Sequence, residues 1–298
     1  MALTHPGTRK TLAAYGLLIP VLLLLTLIIL IPSLWAAAMS LTNYRLGQAL
    51  RYVGFDNYRF IFSDPQFWRS AVVTLKFVLA SVALQMLLGL GISLLLAAQF
   101  FGQRLWIALT LVPVAVTPSV SGTMWRYLLD FNIGPINYFV HQLGFERQMW
   151  LASETLALWV VVLVYVWESI PYVFLFLYPA RITFPKSMYE AARIDGASPF
   201  QCFRFVTMPQ LKPIFLVAMV FRTIFAFRTF GIVWNLTEGG PIGATEILAI
   251  YLYRQGFKYW RFGSAAAVAI LLLAFTVVIS GYQIRTLQRN VFVSEKRK

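Results

Sequence analysis

Charged side chains and cysteine are scarce in this sequence. Asp, Glu, Lys and Arg make up 12% of the 298 residues, whereas 59% are hydrophobic. A soluble domain has about a quarter of its residues charged, so this composition excludes an ordinary soluble globular protein. The single cysteine, Cys202, excludes an internal disulfide and any metal site made of cysteines alone. The two histidines, His5 and His141, lie far apart, and no metal site is predicted.

Two sequence patterns of catalysis are also missing. No G-x-x-x-x-G-K-[S/T] phosphate loop occurs, which excludes ATP hydrolysis by this chain itself. No nucleophile stands in a pattern with a base, so we predict that the chain is not an enzyme. The formal net charge of +14 would suit a nucleic-acid partner in a soluble protein. Because the Lys and Arg residues flank apolar segments, they indicate anionic lipid instead, and no nucleic-acid partner is predicted.

Long apolar runs dominate what is present. About 20 mainly apolar residues in a helix cross a bilayer, and the sequence repeats such runs. We therefore predict an all-α fold, a polytopic membrane bundle of about six transmembrane helices. The predicted helices are Leu12–Ser40, Ala71–Ala98, Leu105–Leu129, Thr155–Tyr178, Ile214–Leu236 and Gly263–Ile284. No linker or repeat divides the chain, so residues 1–298 are interpreted as one domain, with both termini on the same side.

The third predicted helix contains two prolines, Pro113 and Pro118. A proline inside a membrane helix frees a carbonyl that must find another donor. Hydroxyls nearby, such as Thr117 and Ser119, can supply one. We predict that this helix is kinked and packs inside the bundle.

One polar stretch, residues 190–213, interrupts the apolar pattern between the fourth and fifth predicted helices. Residues 190–194 favour a short helix, and Gly196 supplies a flexible turn after it. Ser198 followed by Pro199 is typical of a helix start. Pro209 and Pro213 are expected to end this second short helix. Three aromatic residues are expected to pack the resulting compact knob: Phe200, Phe203 and Phe205.

This stretch resembles the cytoplasmic EAA loop of permease subunits from binding-protein-dependent ABC importers, in the carbohydrate branch. The matching residues, in the family's order and spacing, are Glu190, Ala191, Ala192, Asp195, Gly196, Ala197 and Pro209. The resemblance implies the type I importer permease fold, with residues 190–213 docking on an ATPase. Arg193, near the tip of the knob, is expected to take part in that docking.

The resemblance also implies partners and a location. The expected partners are a second, unlike permease subunit, two ATPase subunits, an extracytoplasmic solute-binding protein and a carbohydrate substrate. ATP and Mg²⁺ would be held by the ATPase subunits, and no cofactor by this chain. The expected location is the cytoplasmic membrane of a bacterium or archaeon, with both termini cytoplasmic. Lys and Arg counts barely decide this orientation, because many cations fall on the other side; they are Arg45, Arg51, Arg59, Arg254, Lys258 and Arg261.

Polar residues inside membrane helices are costly, so their positions indicate a transport path. In the fourth predicted helix, Tyr165, Glu168, Ser169 and Tyr172 share one face by their i, i+3, i+4 and i+7 spacing. In the fifth, Arg222, Phe225, Ala226 and Thr229 repeat that spacing.

If the two faces meet, they form a pocket with charges, hydroxyls and aromatic walls, which suits a polyhydroxylated solute. A second interpretation is that Glu168 and Arg222 are a buried ion pair that only joins helices. Arg228 falls on another face than Arg222 and is expected at a subunit interface.

The predicted function is therefore the permease subunit of an ATP-driven importer for a mono-, di- or oligosaccharide. Glycerol phosphate or a glycosylated osmolyte is an alternative substrate, because Arg222 could bind a phosphate. An ion-coupled secondary transporter that uses Glu168, or a membrane-embedded enzyme that uses Glu168 with a hydroxyl, are alternatives of other classes.

Overall fold

The computed structural model describes residues 18–45, 47–98 and 100–295. They divide into two compact units, one made of the described residues up to 63 together with 252–271, and the other of those from 64 to 251 together with 272–295. In chain order the helices are α1 Leu18–Ser40, α2 Asp56–Ser63, α3 Pro65–Leu96, α4 Gln103–Leu111, α5 Pro118–Leu128, α6 Pro135–Gln142, α7 Ala157–Ile182, α8 Lys186–Ile194, α9 Pro199–Arg228, α10 Gly231–Thr237, α11 Leu248–Tyr253 and α12 Phe262–Glu295. The described part contains isolated β-bridges but no strand, so the all-α prediction is confirmed.

Among the described residues, five helices are long and apolar enough to cross a membrane: α1, α3, α7, α9 and α12 as far as Thr286. A further candidate span consists of two consecutive helical segments. The first is α4 with the 3₁₀ turn that follows it, Val112–Ala115, and the second is α5; the two are bent by 102° relative to each other. Counted as one span, the pair raises the number to six in the described part, in agreement with the prediction. Residues 12–17 of the first predicted helix lie outside the described residues.

The predicted kink in the third span is therefore a sharp bend. Pro113 lies in the 3₁₀ turn, and Pro118 starts α5. Thr117, between them, has an extended backbone, and its hydroxyl oxygen accepts from the backbone N–H of Val120 at 3.5 Å. A proline at the first position of a helix removes an N–H that has no partner there. The two prolines thus end one helix and begin another.

In the first unit, Asn57 joins three segments. Its side-chain amide donates to the carbonyl oxygens of Ser40, at 2.8 Å, and Thr42, at 2.7 Å. Its amide oxygen accepts from the hydroxyl of Ser264 at 3.1 Å. The neighbouring Tyr58 hydroxyl lies 2.8 Å from the hydroxyl of Ser40. The bond to Ser40 satisfies the last carbonyl of α1, which a helix end leaves without a partner inside the helix.

In the second unit, α7 is the most buried span and packs along α3, while α9 packs against both. The close approach of α3 to α7 depends on Gly89, since a methyl group there would lie 2.5 Å from Cγ1 of Val173. α5 packs against α10, where Gly122 faces the carbonyl of Ile232. Small residues at helix contacts allow such close packing in membranes. The core side chains around α7 include Phe77, Val161, Tyr165, Val173, Phe227 and Ile232.

The predicted fifth helix, Ile214–Leu236, is wrong at both ends. α9 begins before it, at Pro199, and ends at Arg228. Thr229 has an extended backbone with ψ of 139°, and α10 starts only at Gly231. No proline marks this break. Gly231 packs so closely on α5 that an added methyl group would lie 3.0 Å from the hydroxyl oxygen of Ser119. The break between α9 and α10 therefore lies at a tertiary contact with α5.

The expectation that Pro209 and Pro213 end a helix is also wrong, because α9 continues through both. A π-type segment, Cys202–Thr207, precedes Pro209 in the chain. There the N–H of Met208 reaches back five residues, to the carbonyl of Phe203. The wider turn relieves the clash between a proline ring and the carbonyl four residues before it. The helix therefore passes the prolines.

Candidate substrate cavity and docking loop

A cavity of about 400 Å³ lies in the second unit where α7, α9 and the start of α5 meet. α7 supplies Tyr165, Glu168 and Tyr172, because residues three or four apart share a face. The other lining residues are Pro118, Arg222, Phe225, Arg228, Thr229, Phe230 and Gly231. The two polar faces predicted from the sequence thus meet at this cavity.

Arg222 is the centre of the cavity's polar network, and only 4% of it is exposed. Its Nε donates to the amide oxygen of Gln85 at 2.7 Å. One terminal nitrogen donates to the hydroxyls of Ser169, at 2.5 Å, and Tyr165, at 3.1 Å. Three helices, α3, α7 and α9, are joined in this way. The guanidinium is therefore fixed in position by three neutral side chains.

Glu168 is joined to Arg222 through Ser169. The Ser169 hydroxyl donates to a carboxylate oxygen of Glu168 at 3.2 Å, and the same oxygen atom of Ser169 accepts from Arg222. Within the described residues Glu168 and Arg222 do not approach within ion-pair distance, so the direct pair that the sequence left open is absent there. Glu168 is 6% exposed and lines the cavity. One buried carboxylate is thus held near one buried guanidinium in the cavity wall.

Aromatic rings surround the guanidinium. Its central carbon lies 5.2 Å from the ring centre of Tyr172, 5.6 Å from that of Tyr165 and 5.7 Å from that of Phe225. A guanidinium within about 6 Å of a ring centre is attracted to the ring face. Phe225 and Tyr172 also leave ring surface exposed. The cavity therefore offers apolar faces next to hydrogen-bonding groups.

Six of the eight residues predicted on the path line the cavity: Tyr165, Glu168, Tyr172, Arg222, Phe225 and Thr229. Ser169 lies behind them, fully buried, and holds Arg222 and Glu168. Ala226 is a core residue, 1% exposed, and does not line the cavity. Thr229 reaches the cavity from the break after α9, not from a helical face.

Two findings differ from the sequence interpretation. Arg228 lines the cavity, contrary to its expected place on another face, because the chain bends directly after it. Gln85 was missed, although a glutamine within the apolar α3 is the kind of residue that marks a polar contact inside a membrane. Its partner is 137 residues away, so no local pattern reveals the pair.

The predicted docking loop, residues 190–213, has the local geometry that the sequence predicts at its turn. Gly196 has φ of +80°, a conformation that glycine adopts without strain. The Ser198 hydroxyl accepts from the N–H of Gln201, and the Gln201 side chain accepts from the N–H of Ser198. This reciprocal capping starts α9. The turn between α8 and α9 is thus fixed by its own residues.

The predicted docking residues are on the surface of this loop. Ala192 and Ala197 are half-buried, and the others are exposed: Glu190, Ala191, Arg193, Asp195, Gly196 and Pro209. Phe200 and Phe205 were expected to pack the knob, but they are 71% and 70% exposed. They point outward because α9 continues as one helix, and its buried residues here are Cys202 and Thr207. Exposed apolar side chains among charges are typical of a protein-binding surface.

Comparison with known proteins identifies the family. Residues 12–289 match the model of the family described as "Binding-protein-dependent transport system inner membrane component". The chain is 34% identical to the trehalose/maltose transport system permease protein MalF of Thermococcus litoralis, over 91% of this chain and 93% of that protein. It is 31% identical to the sn-glycerol-3-phosphate transport system permease protein UgpA of Pectobacterium atrosepticum, over 98% and 99%.

The fold also matches a solved structure. A chain of the bacterial alginate ABC transporter, crystallised with an alginate pentasaccharide-bound periplasmic protein, superposes with a TM-score of 0.79. The superposition covers 94% of this chain and 96% of that one, at 19% sequence identity. The chain therefore belongs to the family of binding-protein-dependent transport system inner membrane components, the multi-pass permeases of ABC importers.

Proposed function

We propose that this chain is one permease subunit of an ATP-driven importer whose substrate is a carbohydrate. The observation that carries the proposal is the cavity, in which the guanidinium of Arg222 and the carboxylate of Glu168 lie among aromatic rings. Charged planar groups bind hydroxyl pairs, and rings cover the apolar faces of a sugar. The names of relatives that transport trehalose and maltose support the same substrate class.

The docking loop supplies the connection to ATP hydrolysis. Glu190 and Asp195 are exposed and suited to charge-assisted hydrogen bonds with basic residues of an ATPase. ATP and Mg²⁺ then belong to two ATPase subunits, and this chain holds no nucleotide. A second, unlike permease completes the membrane bundle. In this arrangement the loop and both termini are cytoplasmic, and the solute-binding protein acts from the other side.

Transport follows if nucleotide binding favours one state of the bundle. The ATPase dimer closes on ATP, moves the docking loop and shifts the bundle from an inward-facing to an outward-facing state. The binding protein then delivers the solute to the cavity, and hydrolysis restores the inward-facing state. Coupling of this kind requires that ATP and the solute bind the two states with different affinities.

An anionic carbohydrate, such as a sugar phosphate, is a second candidate substrate. The residues that line the cavity include two guanidinium groups, Arg222 and Arg228, and one carboxylate, Glu168. The excess of one positive charge favours a solute with a phosphate, sulfonate or carboxylate group. The name of the UgpA relative is consistent with this candidate. Arg228→Gln should then weaken uptake of the anionic solute and leave uptake of a neutral sugar unchanged.

Reconstitution of the complete importer in vesicles tests the proposal. Uptake of the solute bound by the binding protein should require ATP inside the vesicle and both permeases. Glu190→Lys should abolish the ATPase activity that depends on transport, while the complex still assembles, because it reverses the docking charge. Uptake by this chain alone in vesicles without ATP would instead establish a secondary transporter. Chemical conversion of a substrate by this chain in the absence of vesicles would establish an enzyme.

A further inference from the structure

Tyr189 comes directly before the predicted docking residue Glu190 and contacts two of the helices that line the cavity, α7 and α9. Its hydroxyl lies 3.0 Å from the hydroxyl of Thr207, on α9. Its ring centre lies 4.5 Å from the guanidinium carbon of Arg181, in the last turn of α7. α8 thus reaches α7 and α9 through one side chain.

Each of these contacts is built into the fold. Thr207 is 4% exposed and is the last residue of the π-type segment of α9. The Nε of Arg181 is buried without a hydrogen-bond partner in the described residues. Two rings stabilise the guanidinium instead: Tyr189, and Phe184 with its ring centre 5.9 Å from the guanidinium carbon, of which Tyr189 is the nearer. Neither contact resembles a solvated surface pair.

The two contacted helices carry the polar network of the cavity. Thr207 precedes Arg222 by 15 positions on α9, about 22 Å at 1.5 Å per residue, if the π-type turn is neglected. Arg181 follows Glu168 by 13 positions on α7, about 20 Å. Both helices are continuous over these lengths, with Pro171 and Pro179 inside α7 and Pro209 and Pro213 inside α9. Tyr189 thus contacts the far ends of two helices whose other parts line the cavity.

We propose that Tyr189, with Arg181 and Thr207, is the contact through which motion of the docking loop is transmitted to α7 and α9. The inference rests on the proposed function, because it needs an ATPase that moves the loop. Tyr189 is a positioning residue in this scheme: Glu190 and its neighbours bind the ATPase, and Tyr189 links them to the cavity.

The test measures solute uptake per ATP hydrolysed by the complete importer in vesicles. Tyr189→Phe removes the hydroxyl and keeps the ring, and Thr207→Val removes the other hydroxyl and keeps the shape. Each variant should lower the ratio of uptake to ATP hydrolysis about fivefold, which corresponds to the net free energy that one neutral hydrogen bond contributes. The double variant should be no worse than either single variant, because both remove the same bond. Thr207→Ser should restore the ratio.

Tyr189→Leu removes the ring contact as well and should lower the ratio further, by about two- to fivefold. Tyr138→Phe, on the exposed face of α6, is the matched control and should leave the ratio unchanged. The amount of assembled complex should be unchanged in Tyr189→Phe and Thr207→Val. A wild-type ratio in both of these variants, or additive losses in the double variant, would overturn the inference. Failure of the wild-type importer to take up solute would instead overturn the proposed function.

Discussion

Gly89 offers a quantitative test of how α3 and α7 pack. In Gly89→Ala the added methyl carbon would lie 2.5 Å from Cγ1 and 2.6 Å from Cβ of Val173, far inside van der Waals contact. Val173 is fully buried, and a β-branched side chain has little rotational freedom in a helix, so it cannot move aside. Overpacking of this kind costs about 1–3 kcal/mol. The helices must therefore separate locally.

Gly91, two residues further along α3, is the matched control. A methyl group there would meet no atom within 4 Å. Both substitutions gain about 0.8–1 kcal/mol of helix propensity, so this gain cancels in the comparison. Gly91→Ala should be more stable than the wild type, and Gly89→Ala should be less stable than Gly91→Ala by about 1–3 kcal/mol.

Thermal unfolding of the purified complex, followed by the loss of monodisperse protein in size-exclusion chromatography, measures the difference. A chain of this size changes its midpoint by roughly 2–4 °C per kcal/mol. Gly89→Ala should therefore melt several degrees below Gly91→Ala. Equal midpoints for the two variants, or a higher one for Gly89→Ala, would refute the close packing of α3 on α7.

Three further outcomes are expected. Arg222→Lys should raise the KM for uptake about tenfold or more, since an ammonium cannot make the planar set of bonds of a guanidinium; an unchanged KM would exclude Arg222 from the site. Glu168→Gln and Thr229→Val should each change the affinity for the solute, and normal affinity in both would move the site to the partner permease. The backbone N–H groups of Ile133 and Asn132 donate to the carboxylate of Asp130, which lowers the pKa of this carboxyl from its ordinary value. The stabilising contribution of Asp130 is therefore fully present above the ordinary pKa and is lost as the pH falls through the lowered pKa. Asp130→Ala should lower the melting midpoint at pH 7, and the gap to the wild type should shrink in acid; a gap independent of pH would contradict this.

The sequence by itself determined the features that depend on neighbouring residues. The apolar runs specified an all-α membrane bundle, because a chain in lipid must satisfy its backbone internally. Gly196 and Ser198 specified the turn of the docking loop, since both act on groups within a few residues. The i, i+3, i+7 spacing on α7 predicted that Tyr165, Glu168 and Tyr172 share one face, and all three line the cavity.

Only the tertiary structure decided how the cavity is completed. The hydrogen bond between Arg222 and Gln85 joins residues 137 positions apart. The helix break after Arg228, which places this side chain at the cavity, lies where Gly231 packs against α5. The continuation of α9 through Pro209 likewise depends on a wide turn that helix propensities do not encode. These features arise from contacts between distant segments, which packing in three dimensions creates and local sequence patterns do not contain.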